Sequence, residues 1–595
     1  MCGICGELRF DGQAPDLDAL ARMNQALRRR GPDHEGVWHT GAVAFGQRRL
    51  AVIDLSSAAN QPMVDEALQL TLVFNGTIYN YPALRKELIG FGYSFFSQGD
   101  TEVVLKAYHR WGESCVERFR GMFAFAIWDS KARCLFLARD RMGIKPLYFA
   151  SVGGCLRFAS NTQALLAAGG IDTHLDPVAL HHLFTLHAVV PAPRTILSQV
   201  RKIAPAETMT VASDGTLRRR SYWQLRAERP LIPRTEQEWT EVVHEALREA
   251  VQQHLAVADV PVGVLLSGGI DSSLLVALLA ESGVRSPLTF SIGFEDTPEE
   301  RGSEFEYSDQ VAERFQTDHH RIVIPNAEVL DRLPEAVAQM GEPMFGQDAV
   351  AFYLLAERVS HSVKVVQSGQ GADEVFGGYF WYPKMVAARG TALERFRDHY
   401  FDRDHAEYLT TVAEAFHGPD HTSEYIEQRL ALPHADTFLD QVLRLDVTTL
   451  LVDDPVKRVD NMTMAWGVEA RVPFLDHPLV ECAAAVPPEW KLNSGGKHLL
   501  KRMARGLLPN AVIDRPKGYF PVPALKYVRG PFLHFMREVL TSRACLERGL
   551  YQRSYVEKLL NAPEQYLTRI QGSKVWHLAA LELWLQIHVD NRAPL

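Results

Sequence analysis

The opening stretch Met1-Cys2-Gly3-Ile4-Cys5 puts a thiol directly behind the initiator methionine. Loss of Met1 leaves Cys2 with its thiol and a free α-amine on one carbon. That amine, with an ordinary pKa of about 7.7 to 8.0, is a covalently adjacent base, so the thiol needs no histidine to become a nucleophile. Downstream, Asn75-Gly76 offers a side-chain amide and a backbone N–H, the ingredients of an oxyanion hole, although the same dipeptide is commonly a plain turn. Arg49 is suited to clamp a carboxylate and Asp100 to hold an ammonium. Cys2 and Cys5 also stand at Cys-x-x-Cys spacing, so a redox pair and half of a metal site are competing readings.

A second group of residues has the chemistry of phosphate binding. VPVGVLLSGGIDSSLLVALLAES reads as strand, glycine loop and helix. Ser267, Gly268 and Gly269 permit a tight turn with inward N–H groups, and Ser272 and Ser273 open a helix whose N-terminus favours an anion. The lysine of a Walker loop is missing, and Asp271 stands there instead; an acid beside a phosphate cradle suits a Mg²⁺ ligand. SVKVVQSGQGADEVFGGY repeats the pattern, with Ser368, Gly369 and Gly371 turning the chain and Asp373 and Glu374 supplying carboxylates. One such loop is more often a turn. Two of them, each after an apolar strand and each with its own acid, favour a nucleotide site.

Positioning these residues takes more than one core, because 595 residues exceed the usual domain length several-fold. The 47% hydrophobic and 23% charged content is that of an ordinary globular protein. A net charge of -9 with no basic tract argues against nucleic acid as a partner. No apolar run reaches the roughly 18 residues of a membrane span, and Glu7 and Arg9 interrupt any leader, so the expected location is cytoplasmic. The seven cysteines form no second Cys-x-x-Cys, and a reducing compartment would keep them as thiols. GAVAFGQRRLAVIDL, LQLTLVFNGTIYN, FAFAIWD and CLFLARD are strand-like, and TEVVLKAYHRWG has helical spacing between them. From about Tyr222, PVGVLL, PLTFSIGF and SVKVVQ alternate with helical patterns, which signals a parallel sheet covered by helices. VASDGTLRRRSYW reads as the boundary between domains spanning 2–215 and 222–595. Beyond Tyr400 the chain reads almost wholly helical, with WHLAALELWLQIHV as a buried helix. His434, His477 and His498 lie far from ligand spacing and are read as packing.

MCGICG, RRGPDHEG, QRRLAVIDL, VFNGTIYNY, DTEVVL, RGMFAFAIWD and ARDRMGIKPLYF together resemble the class II glutamine amidotransferase domain. LLSGGIDSS, TFSIGF, SGQGADEVFGGY and VEARVPFLDH resemble the synthetase domain of glutamine-hydrolysing asparagine synthetases. The likeness runs in family order from residue 2 to about residue 520. It implies an α+β N-terminal nucleophile (Ntn) sandwich followed by an α/β ATP pyrophosphatase-type synthetase domain with a helical C-terminal part. It also implies that ATP activates a carboxylate as an acyl-adenylate, and that ammonia from glutamine, passing through an internal tunnel, converts it to an amide. By position, the resemblance makes Cys2 the glutaminase nucleophile, Asn75 and Gly76 the oxyanion hole, and Arg49 and Asp100 glutamine-binding groups. Ser267 to Ser273 match the pyrophosphate loop, Leu265 and Ile292 the adenosine contacts, Ser368 and Gly369 the nucleotide neighbours, and Asp271 and Asp373 the Mg²⁺ ligands. Lys517, in RPKGYF, resembles a lysine that stabilises the adenylation and amidation transition states. Cys5 falls where relatives often carry a small residue, which makes the Cys-x-x-Cys spacing incidental. The implied partners are glutamine, ATP and a carboxylate acceptor, and a homodimer is entertained as the assembly.

The sequence departs from the family pattern at Gln370, where relatives usually place Glu or Asp, and at Gln47, Thr77 and Asn461, where His, Glu and Arg are common. A neutral amide cannot serve as a base. Because position 370 should border the acceptor carboxylate, free aspartate is not the expected acceptor, and a larger, peptide-like carboxylate suits a site with one fewer negative charge. MCGICGELRFDG and SGQGADEVFGGY look most like amidotransferases acting on the dipeptide N-acetylglutaminylglutamine. Asparagine synthesis is the alternative acceptor reading; a regulatory homologue without synthesis and a thiol redox protein are alternative classes.

Overall fold

The structure is a computed structural model that describes residues 2–515 and 522–591. Lys517 lies outside the described residues.

The N-terminal domain is two antiparallel six-stranded sheets laid face to face. Strand Cys2–Arg9 lies inside the first sheet, between Val43–Arg49 and Cys155–Ala159. Strand Leu70–Ile78 lies in the second, beside Gly121–Asp129. Alternate residues of both sheets, among them Ile4, Leu8, Phe45, Val73, Ala124, Leu137 and Phe158, fill the space between them. Helices Leu17–Ala26 and Thr162–Ala168 pack together on the first sheet's outer side. Helices Tyr81–Gly90 and Asp100–Trp111 bury Leu84, Leu88, Val103 and Val104 against the second. This helix–sheet–sheet–helix order is the expected Ntn sandwich. The polar stretch read as a boundary is part of it: Leu217–Ser221 pairs with Glu207–Ala212, so the sandwich runs to Ser221 rather than 215. Its arginine-rich sequence looked like linker because an edge strand facing water is polar.

The second domain holds five parallel strands in the order Asp318–Ile324, Leu288–Phe294, Val262–Leu265, Val365–Gln367, Glu469–Arg471. The chain adds two strands on one side of Val262–Leu265 and then crosses to the other, so the switch point lies between Val262–Leu265 and Val365–Gln367. Both glycine loops leave from these two neighbours. Helix Glu236–Ala256, closed at its start by a Thr235/Glu238 capping box, leads into the sheet. A helical lobe follows from residue 372, and Lys574–His588 is buried along nearly its whole length. Among the described residues no helix is long and apolar enough to cross a membrane.

Buried ion pairs join the domains: Asp460 lies between Arg30 and Lys145 at 3.0 Å from each, and Lys202 meets Glu342 and Asp453 at 2.9 and 2.8 Å. A buried charge that loses its partner costs several kcal/mol, roughly 3 to 5, so these pairs fix the register of the two domains.

Candidate active sites

The first site forms around Cys2, which is 6% exposed at the start of its strand. Cross-strand pairing puts Arg49 directly opposite it. The Cys2 backbone nitrogen donates to Asn75 Oδ1 at 3.0 Å, and Asn75 Nδ2 is buried without a hydrogen-bond partner among the described residues. A buried amide donor left open is what an incoming oxyanion requires. At Gly76 a Cβ would lie 2.3 Å from the Met122 carbonyl oxygen, so only glycine lets the two strands approach there. Cys5 is three residues on in the same strand and therefore points to the opposite face. Its thiol sits 3.6 Å from the Gly46 carbonyl, and burial pushes its pKa up. The two cysteines form no disulfide, and the strand geometry removes the redox-pair reading.

Arg49 donates to the Ser56 carbonyl at 2.9 Å and to Asn60 Oδ1 at 2.7 Å, which holds its guanidinium in the cavity wall. Asp100 faces the same cavity from the first turn of its helix and accepts from the Ile78 N–H at 3.0 Å. Burial pushes Asp100 up to about 6, partly offset by that N–H, and Glu469 adds to the rise. Glu469 comes from the other domain. It lines the Cys2 cavity, accepts from the Thr77 hydroxyl at 3.3 Å and pairs with Arg471 at 2.6 Å. Burial alone would raise Glu469, but Arg471 outweighs it and holds the carboxylate at about 2. The carbonyl of Arg471 in turn accepts from the Ser368 N–H at 2.8 Å.

The second site is a cavity of 450 Å³ at the switch point of the parallel sheet. Leu265, Ser267, Gly269, Asp271, Ser272, Ile292, Ser368 and Gly369 border it, as do Gln370 and Asp373. Gly268 and Ser273 are not in its wall. Gly268, at φ +75°, turns the loop against Tyr307 and Ser308, where a Cβ would clash at 2.7 Å. Ser273 is fully buried behind the loop. The loop folds on itself, with the Gly269 N–H donating to Ser267 Oγ at 3.3 Å and the Ser267 N–H to Ser272 Oγ at 3.2 Å.

Sequence reading missed Lys497. Its Nζ lies 2.6 Å from Asp271 and 2.9 Å from Asp373, so it joins the acids of the two glycine loops. Those carboxylates raise its pKa against burial and keep it charged. Ser494, Gly495, Gly496 and Lys497 all have positive φ, from +54° to +93°, an expensive turn for its two non-glycine members. The signal was Ser-Gly-Gly-Lys ahead of the helix His498–Ala504, a third glycine turn far along the chain. Arg515, paired with Glu304 at 3.0 Å, stands over the first loop and was also missed.

A third cavity, of 170 Å³, lies across the short helix Ala372–Phe376 from the nucleotide cavity. Gln370 and Asp373 face one side, and Glu374, Tyr379 and Trp381 the other. Its wall adds Tyr400, Trp576 and Asp446; burial, reinforced by Glu374, pushes the Asp446 carboxyl well above the usual carboxylate range. Asn461 is elsewhere, accepting from the Gly341 N–H at 2.8 Å.

Residues 242–586 match the model of the asparagine synthase family, and residues 1–223 match that of the glutamine amidotransferase domain. Asparagine synthetase [glutamine-hydrolyzing] 1 of Bacillus subtilis is 32% identical, over 100% of this chain and 98% of its own. A putative asparagine synthetase of Mycobacterium tuberculosis H37Rv is 34% identical over 97% and 95%. Asparagine synthetase B of Escherichia coli K12 is 28% identical over 87% and 82%.

Proposed function

The chain belongs to the asparagine synthase family and is an ATP-dependent, glutamine-hydrolysing amide ligase, and from that premise we propose that its acceptor is a neutral, peptide-like carboxylate, N-acetylglutaminylglutamine, rather than aspartate. The observation that carries this reading is the charge state of the third cavity. Arg458 is neutralised by Asp348 at 2.9 Å and by Asp454, Lys526 by Glu300 at 2.9 Å, and His187 by Asp402 at 2.9 Å. Among the described residues its wall therefore keeps no unpaired cation for the α-carboxylate that aspartate would bring. The aromatic rings of the wall suit amide groups instead, and Gln370 removes one more charge beside the reacting centre.

In this reading the Cys2 thiol, deprotonated by its own α-amine, attacks the carboxamide carbon of glutamine. The oxyanion takes the open Asn75 Nδ2 donor and the Gly76 N–H. Ammonia leaves, water cleaves the thioester, and glutamate is released. In the second domain the acceptor carboxylate attacks the α-phosphorus of ATP and expels pyrophosphate, with Lys497 and the first glycine loop holding the phosphates. Asp271 and Asp373, hard oxygen donors converging on one cation position, are the residues that would hold Mg²⁺ and let it screen the phosphate charge. Ammonia then attacks the acyl-adenylate carbon, and AMP leaves. Keeping ammonia out of bulk water keeps it neutral and nucleophilic.

The test is amide formation by purified enzyme with ATP, Mg²⁺ and glutamine, with products read by mass spectrometry. N-acetylglutaminylglutamine is expected to be converted and aspartate not. Asparagine formed at a comparable or better rate would establish the second reading, which the names of the relatives favour.

A pH prediction concerns Asp100. Only its ionised form holds the ammonium of glutamine, and burial pushes its pKa up to about 6. The kcat/KM for glutamine should therefore fall up to about tenfold per pH unit below that value. In Asp100→Asn the glutamine KM is high at neutral pH, and this limb of the glutaminase profile is gone.

A further inference from the structure

His187 belongs to the loop after helix Pro177–Thr185, within the glutaminase part of the chain, yet it lines the third cavity in the synthetase part. It and Ala188 sit at φ +54° and +65°, a region non-glycine residues occupy when the surroundings force them. The ring is fixed from two sides. Its Nδ1 lies 2.9 Å from Oδ2 of the fully buried Asp402. His577 meets it edge-on at 5.2 Å and is itself stacked on Phe345 at 4.4 Å. An aspartate at Nδ1 makes that nitrogen the N–H donor and leaves Nε2 for a different partner. No described residue bonds Nε2, and the ring borders the cavity. Burial alone would lower its pKa, but the Asp402 carboxylate outweighs burial and raises it.

We propose that His187 is a specificity residue for the acceptor, its Nε2 hydrogen-bonding to an amide group of the peptide-like substrate. A free aspartate has no amide to meet it. The inference rests on the dipeptide reading above and adds that this loop of the glutaminase part helps choose what the synthetase part amidates.

The experiment measures KM and kcat for N-acetylglutaminylglutamine in His187→Ala and His187→Asn, together with KM for ATP and for glutamine. Asparagine tolerates the left-handed backbone, so that variant keeps the loop while losing the reach of the ring. Both variants are expected to raise the acceptor KM at least about tenfold, with the other two KM values unmoved. Asp402→Asn should give a smaller rise in the same constant. An unchanged acceptor KM in a folded His187→Asn enzyme, when the wild type amidates the dipeptide, would overturn this inference alone. A wild type that converts aspartate only would overturn the dipeptide reading with it. Stoichiometric zinc in the purified protein that disappears in His577→Ala would make His187, Asp402 and His577 a metal centre, and would also overturn it.

Discussion

Cys2→Ala enzyme is expected to lose glutamine-dependent amide synthesis by at least about 10³-fold while making amide from ammonium salts at close to the wild-type rate. The reasoning is spatial. Cys2, Gly76 and Asp100 face one small cavity, with Asn75 bonded to the Cys2 nitrogen, whereas the glycine loops and Lys497 face another at the switch point of a different sheet. Removing the thiol deletes the nucleophile and leaves every phosphate-binding group in place. Because the Cys2 nitrogen is already held by Asn75 Oδ1 at 3.0 Å, the alanine variant keeps the same anchor and the same strand pairing. An enzyme that retains Met1 should behave in the same way, since its nitrogen is an amide and no base. Product formation followed with glutamine and with ammonium chloride checks both statements. Loss of ammonia-dependent synthesis in Cys2→Ala would contradict the division of labour.

Lys497→Met should show the opposite pattern. Adenylation is expected to fall by about 10² to 10³-fold, the usual cost of removing one preplaced charge from a phosphoryl-transfer site. Both glutamine- and ammonia-dependent synthesis should fall with it. The variant also leaves Asp271 and Asp373 without the ammonium that lies between them at 2.6 and 2.9 Å, so the Mg²⁺ dependence should shift to lower concentration. Methionine keeps the length and apolar stem, which limits the effect to the lost charge. Acceptor-dependent exchange between ATP and pyrophosphate is the direct readout. Exchange within about threefold of wild type would demote Lys497 to a structural counter-ion.

The parts of the fold that could be read from the sequence are those written in local periodicity. PVGVLL, PLTFSIGF and SVKVVQ each became strands of the parallel sheet, and the glycine loops after the first and third lie where two neighbouring strands diverge. Two strands of that sheet escaped notice for different reasons. Glu469–Arg471 is three residues long inside a helical region, too short for any period to register. Asp318–Ile324 begins Asp-His-His-Arg because it is an edge strand with exposed residues. Of the residues expected at the thiol site, Arg49 pairs with Cys2 across the first sheet, whereas Asn75 and Gly76 come from the second sheet and Asp100 from a helix, so no local pattern announces their meeting. The third cavity was not legible either, since its wall is drawn from residues as far apart as His187, Phe345, Tyr379, Asp446 and Trp576. No local pattern announces a surface assembled from five distant segments. Lys497 was missed for the same reason: nothing near it in the chain says that two aspartates more than a hundred residues upstream will meet it.

The three-residue strand Glu469–Arg471 has a thermodynamic consequence. At one end its glutamate borders the thiol cavity, and at the other its carbonyl holds the Ser368 N–H in the nucleotide cavity, a span of roughly 7 Å. A displacement at one end of so short a strand, if passed to the other, couples the two bindings. Whatever factor bound nucleotide applies to the affinity for glutamine, glutamine must then apply equally to the affinity for nucleotide, because the two bindings close one cycle. A single rigid peptide between two substrates thus makes each a reporter of the other. Glutamine titrated against nucleotide affinity measures the traffic through it in either direction.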